Sequence, residues 1–461
     1  MTATLDPSTL DDHDLLSALL RSPDYPAWRA RVEASGGCAR PVRLTGASTI
    51  LDRDGAVLVE RAGDVFAPCG NRRESVCPAC SDRYAGDAYH LLSAGLAGGD
   101  KDIPTSVADK PRVFLTLTAP SFGPVHTRRT NRSGRAIPCG CRCYHHPADL
   151  SLGTPLDADR YDYVGAVLWQ AHAGQLWHRF VIALRRVLAA ELGVRGRDFA
   201  TAARLSYAKV AEFQRRGLVH FHAVLRVDGP DGPTDSCPTG ITTDVLRAAV
   251  TRAAQMASIT TARPDGTGLA LVWGGQLDLR EIRAESVEDE SGQISEARLA
   301  GYIAKYATKG TGATEGTDRP IRDGAHIAYL DVSPHHRRMI ETCWQLGGLF
   351  TYEELGLRRW AHMLGFRGHF LTKSQRYSTT FRAIRGERRD WRLRAELDEL
   401  GRDTWGEDDT AIDLATVTVI NDWRLVGVGH RNYAEQELAM AIAERNRQHR
   451  TRTTPTLRRT A

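Results

Sequence analysis

The sequence has 461 residues and a net charge of only +5, with 42% hydrophobic and 25% charged residues. That is ordinary for a folded, soluble protein, and the length predicts two or three domains. No apolar run approaches the roughly eighteen residues of a membrane span, so no membrane partner is expected, and the overall charge does not announce nucleic acid.

In chain order, residues 1–35 are polar and acidic and read as a flexible N-terminus with a loose helix. The start, "MTATLDPSTLDDHDLL", has no basic stretch ahead of an apolar one, which predicts no signal peptide and a cytoplasmic location. Residues 36–108 form a cysteine-rich region with one helical stretch, "SDRYAGDAYHLLSAGL". From 109 to 310 strand and helix signals alternate. "RVFLTLT" is a strand and "GAVLWQAHAGQLWHRFVIALRRVLAAEL" a long helix. "ARLSYAKVAEF" and "LVHFHAVLRV" are two strands joined by a tight turn, and "TTDVLRAAVTRAAQM" is a helix. "LALVWGGQLDLREI" reads as one strand and "SEARLAGYIAKYATKG" as a helix stopping at Gly310. The order β-α-β-β-α-β-α is that of an antiparallel sheet with helices on one face, an α+β fold. A cysteine-rich insert at 121–160 interrupts it. Residues 311–354 read as a linker and helical connection, and 355–461 as a basic, mainly helical C-terminal region ending in a tail.

The hairpin carries the first candidate chemistry. His220 and His222 lie one residue apart, so in a strand they share a face. A three-residue loop, Arg215 to Gly217, with positive φ at the glycine, sets Glu212 opposite His220. Two imidazoles and a carboxylate then converge, a set suited to magnesium or manganese with open positions. A two-residue loop would reverse the faces, and a hydrogen-bonded core pair is the plainer alternative.

In "GYIAKYATKG", Tyr302 and Tyr306 stack one helical turn apart beside Lys305 and Lys309. A free phenol, with a pKa of about 10, is a poor nucleophile; neighbouring cations and a metal-polarised phosphate make it a useful one. The same spacing also suits a helix face that merely covers a core.

Cys77 and Cys80 form a C-x-x-C knuckle, with Cys69 and Cys38 upstream; four thiolates suit a structural zinc ion. The run "CGCRCYHH" offers Cys139, Cys141, Cys143 and His145, with His146 beside them, for a second zinc ion. Cys237 and Cys343 are isolated and read as structural. Between Arg358 and Arg394 eleven Lys or Arg face only Glu387 and Asp390, a local balance of +9. Arg358, Arg359, Arg367, Lys373, Arg376 and Arg382 are candidate DNA contacts there. Trp360, Phe366, Phe370, Tyr377 and Phe381 interleave with them, which suits backbone neutralisation with base stacking. "EELGLRRWAHMLGFRG" reads as helix, turn and second element, a candidate helix-turn-helix.

"FLTLTAP" (114–120), "HFH" (220–222) and "YIAKYATK" (302–309) follow the order of the three motifs of HUH endonucleases. The paired tyrosines resemble those of rolling-circle initiators of isometric single-stranded DNA phages. "LSYAKVAEFQRRGLVHFHAVLRVDG", "YDYVGAVLW" and "LRRWAHMLGFRGHFLTKSQRYSTTF" are similar to RepSA-type replication initiators of actinomycete plasmids and integrative conjugative elements. The resemblance spans about residues 36–395. It implies an HUH endonuclease domain at 109–310 with His220 and His222 as metal ligands and Tyr302 and Tyr306 as nucleophiles. Glu212 as third ligand rests on the hairpin and on analogy with viral initiators, and Thr116 and Thr118 match a motif that mainly holds its strand. The implied activity is nicking of one origin strand, leaving a 5′-phosphotyrosine and a 3′ hydroxyl. Double- and single-stranded origin DNA and a host polymerase are the implied partners, with a host helicase because no Walker motif is present. A conjugative relaxase would share the chemistry but usually brings three histidines and a more N-terminal tyrosine. A zinc-containing DNA-binding regulator without catalysis is the other class.

Overall fold

The computed structural model describes residues 12–99, 101–131, 133–283, 294–295, 299–301, 303–304, 320–402, 404 and 412–453. The strands are β1 (Val42–Leu51), β2 (Val57–Ala67), β3 (Arg112–Leu117), β4 (Arg129–Thr130), β5 (Ala136–Ile137), β6 (Arg204–Phe213) and β7 (Val219–Asp228). They continue with β8 (Ser258–Ala262), β9 (Gly268–Val272), β10 (Leu277–Arg283), β11 (Ile294–Ser295), β12 (Leu371–Lys373) and β13 (Thr418–Val428). The chain divides into two units, Met1–Asp87 with Thr380–Ala461, and Ala88–Thr379. Residues 355–379 therefore fall in one unit and 380–461 in the other.

The Ala88–Thr379 unit is built on a six-stranded sheet in the order β11-β10-β3-β7-β6-β12. Its neighbours are antiparallel except β10 and β11. Along β7 the side chains alternate. Phe221, Ala223, Leu225 and Val227 join the buried cluster under the helices, while His220, His222, Val224, Arg226 and Asp228 take the opposite face. The helix Tyr163–Glu191 covers the first face. It starts where the Asp162 side chain accepts from the Gly165 N–H; residues 165–173 are buried all round, whereas Gln175, His178, Arg179, Arg185 and Arg186 form an exposed polar stripe along its second half. The helix Thr243–Met256 packs beside it, capped by Thr242.

On the other face Arg226 and Asp228 are fully buried and bonded to each other (Nε to Oδ1, 2.8 Å). Lys110 Nζ (3.1 Å) and Ser206 Oγ (2.6 Å) complete the shell of Asp228. Burial works to raise that carboxyl, but the bonds and charge of Arg226 outweigh it and hold it below the usual range.

The unit Met1–Asp87 with Thr380–Ala461 holds the antiparallel sheet β13-β1-β2. Helices Asp12–Arg21, Tyr25–Ser35, Phe381–Glu399 and Tyr433–Thr453 belong to it. Trp28, Val32 and Ala439 form one small core. Arg385 and Arg388 both pair with the buried Asp87 carboxylate.

The protein is thus mixed α+β with antiparallel sheets, and three local expectations change. "LALVWGGQLDLREI" is not one strand: it breaks at Gly274–Gly275 into β9, which pairs with β8, and β10, which pairs with β3. The Gly274 position leaves no room for a side chain, since a Cβ there would lie 2.7 Å from the Ala119 carbonyl oxygen. Residues 350–363 form three short helical turns, not the two helices of a helix-turn-helix. The cysteine-rich N-terminal region carries the long hairpin β1–β2, which the turn-rich composition had hidden.

Candidate functional site

The β6–β7 loop is the three-residue one, with Gly217 at φ +75°. Glu212 lies opposite His220, and Val210 opposite His222, so all the site side chains share a face. His220 Nε2 lies 2.9 Å and His222 Nε2 3.2 Å from the same oxygen, Glu212 Oε2. One ligand atom from each of the three lies within 4.8 Å of the others. Two nitrogens and a carboxylate oxygen converging from adjacent strands can hold a divalent cation and leave positions open for other oxygens.

His222 is the deeper histidine. Its ring stacks on Phe114 at 5.7 Å, and its Nδ1 lies 3.0 Å from Thr116 Oγ1 on β3. An imidazole held at Nδ1 by a hydroxyl keeps Nε2 as its ligand atom. Burial holds His222 below its ordinary value, against the raising effect of Glu212. Asp278, opposite Thr116 on β10, extends the row of polar groups across the sheet.

The hairpin end is fixed from several sides. Gln170, buried on the helix Tyr163–Glu191, donates to the Gly217 carbonyl (3.1 Å) and accepts from the Val219 N–H (3.0 Å). Arg216 donates to the Pro120 and Ala119 carbonyls, both at 2.8 Å, and His335 donates to the Arg216 carbonyl.

Two further groups of side chains contain cysteines. Cys38, Cys69, Cys77 and Cys80 converge, with Cys38 Sγ 3.8 Å from Cys77 Sγ and 3.6 Å from Cys80 Sγ. Those separations are far beyond a disulfide and match the edge of a tetrahedral thiolate site, about 3.7 Å. The Cys69 N–H donates to Cys38 Sγ and the Ala39 N–H to Cys77 Sγ, contacts that favour thiolates. Contact with the Cys38 thiol pushes Cys77 below the ordinary thiol range. This cluster can hold a metal ion such as zinc. In the 121–160 segment the converging side chains are His126, Cys139, Cys141 and His145. Cys143 is exposed and stands outside the group, and His126 takes the place that local spacing had given it.

Tyr302, Tyr306, Lys305 and Lys309 lie outside the described residues. Of the neighbouring residues, 299–301 and 303–304 are described and are helical.

The model of the family "RepSA: Replication initiator protein, pSAM2" matches residues 24–444. The chain belongs to this replication initiator family. It is also 45% identical, over 451 residues, to a "Replication initiator protein" of Streptomyces ambofaciens, covering 95% of this chain and 94% of that one. No solved structure matches.

A replication initiator binds DNA, and the basic stretch shows which cations are presented to solvent. Arg358, Arg359, Arg367, Arg376 and Arg382 are exposed. Lys373 is partly buried and donates to the carbonyls of Ser374, Gln375 and Ser378, so it braces its own turn. The aromatics differ from expectation. Phe366, Phe370 and Tyr377 are buried, the first two against Phe213, because this segment returns to the sheet as edge strand β12. They are core residues of the initiator and are not open for base stacking. No helix among the described residues is long and apolar enough to cross a membrane.

Proposed function

We propose that this initiator starts rolling-circle replication by nicking one strand of its origin through a tyrosine, in the manner of HUH endonucleases. The observation that supports it most is the meeting of His220 Nε2 and His222 Nε2 at one Glu212 oxygen. A magnesium or manganese ion held there supplies Lewis-acid polarisation of a phosphate oxygen when bound. Tyr302 or Tyr306 attacks phosphorus, forming the phosphotyrosine on the 5′ side. The P–O3′ bond breaks, and the 3′ oxygen leaves, takes a proton and becomes a primer end for a host polymerase. Lys305 and Lys309 favour the phenolate over the phenol. Exposed arginines such as Arg358, Arg359 and Arg376 neutralise the DNA backbone, and strand separation falls to a host helicase.

The test is cleavage of a single-stranded origin oligonucleotide in manganese by the His220→Ala/His222→Ala double variant. Cleavage should fall by at least about 100-fold while origin binding persists, because phosphate contacts elsewhere supply affinity. Undiminished nicking would favour a regulator with no catalysis at this centre or a different cleavage site.

A further inference from the structure

The 121–160 segment has little to fold it. Among its described residues the only strands are the two-residue pair β4 and β5, and an isolated bridge joins Val125 to Pro155. Yet three separate pieces of it bring side chains to one point: His126, Cys139 with Cys141, and His145. We propose that these four residues form a second, structural zinc site, which fixes the segment as a wall of the cavity at the hairpin end of the strands that carry Glu212, His220 and His222.

The donor set is two thiols and two imidazoles. His126 Nδ1 and Cys141 Sγ each lie 3.2 Å from His145 Nε2, and all four ligand atoms lie within 4.8 Å of one another. Donors about 2.0–2.3 Å from a tetrahedral zinc ion are separated by about 3.3–3.8 Å, so a small adjustment seats the ion. Cys139 Sγ also accepts from the Thr127 N–H at 3.3 Å, as a ligating thiolate does.

Around the ligands there is a built support. His145 Nδ1 donates to Asp149 Oδ2 at 2.6 Å, which turns Nε2 toward the cluster. Asp149 is itself held through Oδ1 by the Ser151 N–H (2.9 Å) and hydroxyl (2.8 Å). The turn between the cysteines also explains the choice of thiols. Arg142 takes a left-handed φ of +69°, its N–H donates to the Cys139 carbonyl, and Cys143 is exposed beyond it.

This knot abuts the hairpin loop that joins the two strands of the candidate site. The His126 N–H donates to the Thr154 carbonyl and its own carbonyl accepts from Gly153. Gly153, at φ +90°, lies so close to the hairpin loop that a Cβ would come 2.6 Å from the Arg215 carbonyl carbon. Arg215 in turn donates to the Pro147 carbonyl at 2.8 Å. Between segment and hairpin lies a cavity of about 690 Å³, lined by Thr118, His126, Arg128, Gln214, Arg216 and Gln276 among others. Thr118 and Gln214 follow Thr116 and Glu212 by two residues on the same chain segments, so the cavity lies at the hairpin end of the strands that carry the candidate ligands.

The full-length chain, dialysed against a weak chelator, should carry two zinc equivalents by elemental analysis. Zinc-edge X-ray absorption of that same protein should average about three sulfur and one nitrogen donors per ion, one all-cysteine site plus one mixed site. Cys139→Ser/Cys141→Ser should lose one equivalent and become sensitive to protease within 121–160. Cys77→Ser/Cys80→Ser should lose the other and retain an ion with mixed donors. His126→Ala should behave like the first pair, Cys143→Ser should keep both ions, and Asp149→Asn should weaken the second ion by about 10–100-fold. A single ion in an all-sulfur environment, or loss of the second ion with Cys143→Ser but not with His126→Ala, would overturn the assignment. None of these readouts depends on DNA cleavage.

Discussion

Thr116 links the sheet to the candidate metal site. Its backbone pairs β3 with β7 opposite His222, and its hydroxyl meets His222 Nδ1 at 3.0 Å. Thr116→Val keeps the shape but removes the partner that orients the ring. Manganese affinity measured by calorimetry should fall about 10–100-fold, with stability changed by no more than about 1 kcal/mol. Unchanged affinity would reduce Thr116 to a packing residue. On the opposite face Lys209 is a different case. Its Nζ lies 4.0 Å from the Phe221 ring centre and 5.6 Å from that of Trp177, and burial pushes its pKa down to about 7. The unfolded chain therefore holds the extra proton between about pH 7 and 10, so stability rises with pH across that window and is lost as pH falls to 7. Lys209→Met should stabilise the protein at pH 7 by roughly 2–4 kcal/mol, and by less at pH 9. Denaturant titrations of both proteins at the two pH values check the sign; a variant less stable at pH 7 would mean that the ammonium is held by its aromatic neighbours. At this scale Glu212 was legible, because a loop ending in glycine fixes the register of its two strands. The Thr116 contact was not, since it depends on which distant strand lies beside β7. His126 was missed for a related reason: it lies 13 residues before Cys139, and only folding of the insert joins them.

Among the elements, the β6–β7 hairpin is the one on which the site depends, and the helix Tyr163–Glu191 controls its end through Gln170. Replacing that buried amide with leucine leaves the Gly217 carbonyl and Val219 N–H without the partner they have now. Each such group costs roughly 1–3 kcal/mol. Gln170→Leu should therefore lower the melting temperature and weaken manganese binding together, although Gln170 touches neither histidine. A drop in stability with metal affinity intact would show that the loop holds its register unaided. The long helix, β3 and the hairpin were readable because apolar spacing and turn chemistry are local signals. The sheet of β1, β2 and β13 was not. β13 is exposed along almost its whole length, so it lacks an inward-outward alternation, and its partner β1 lies far back in the chain, with Val42 opposite Val428. β10 was drawn too long because an apolar run across Gly274–Gly275 looks continuous until pairing divides it.

At the scale of the molecule, residues from both ends of the chain make one unit and residues 88–379 make the other, an arrangement that no stretch of sequence displays by itself. Family membership covers residues 24–444 and so takes in nearly all of both units. The proposed nicking activity of this initiator rests on pairing the Glu212, His220 and His222 centre with Tyr302 and Tyr306. The sequence offered both halves, and the described residues hold the first. The most direct test is incubation of the full chain with single-stranded origin DNA and manganese, followed by mass spectrometry of DNA-linked peptides. The account predicts an adduct on the peptide containing Tyr302 and Tyr306, retained in part by Tyr302→Phe and by Tyr306→Phe and absent from the double variant. An adduct elsewhere, one that persists in the double variant, or cleavage with no protein–DNA link would contradict it.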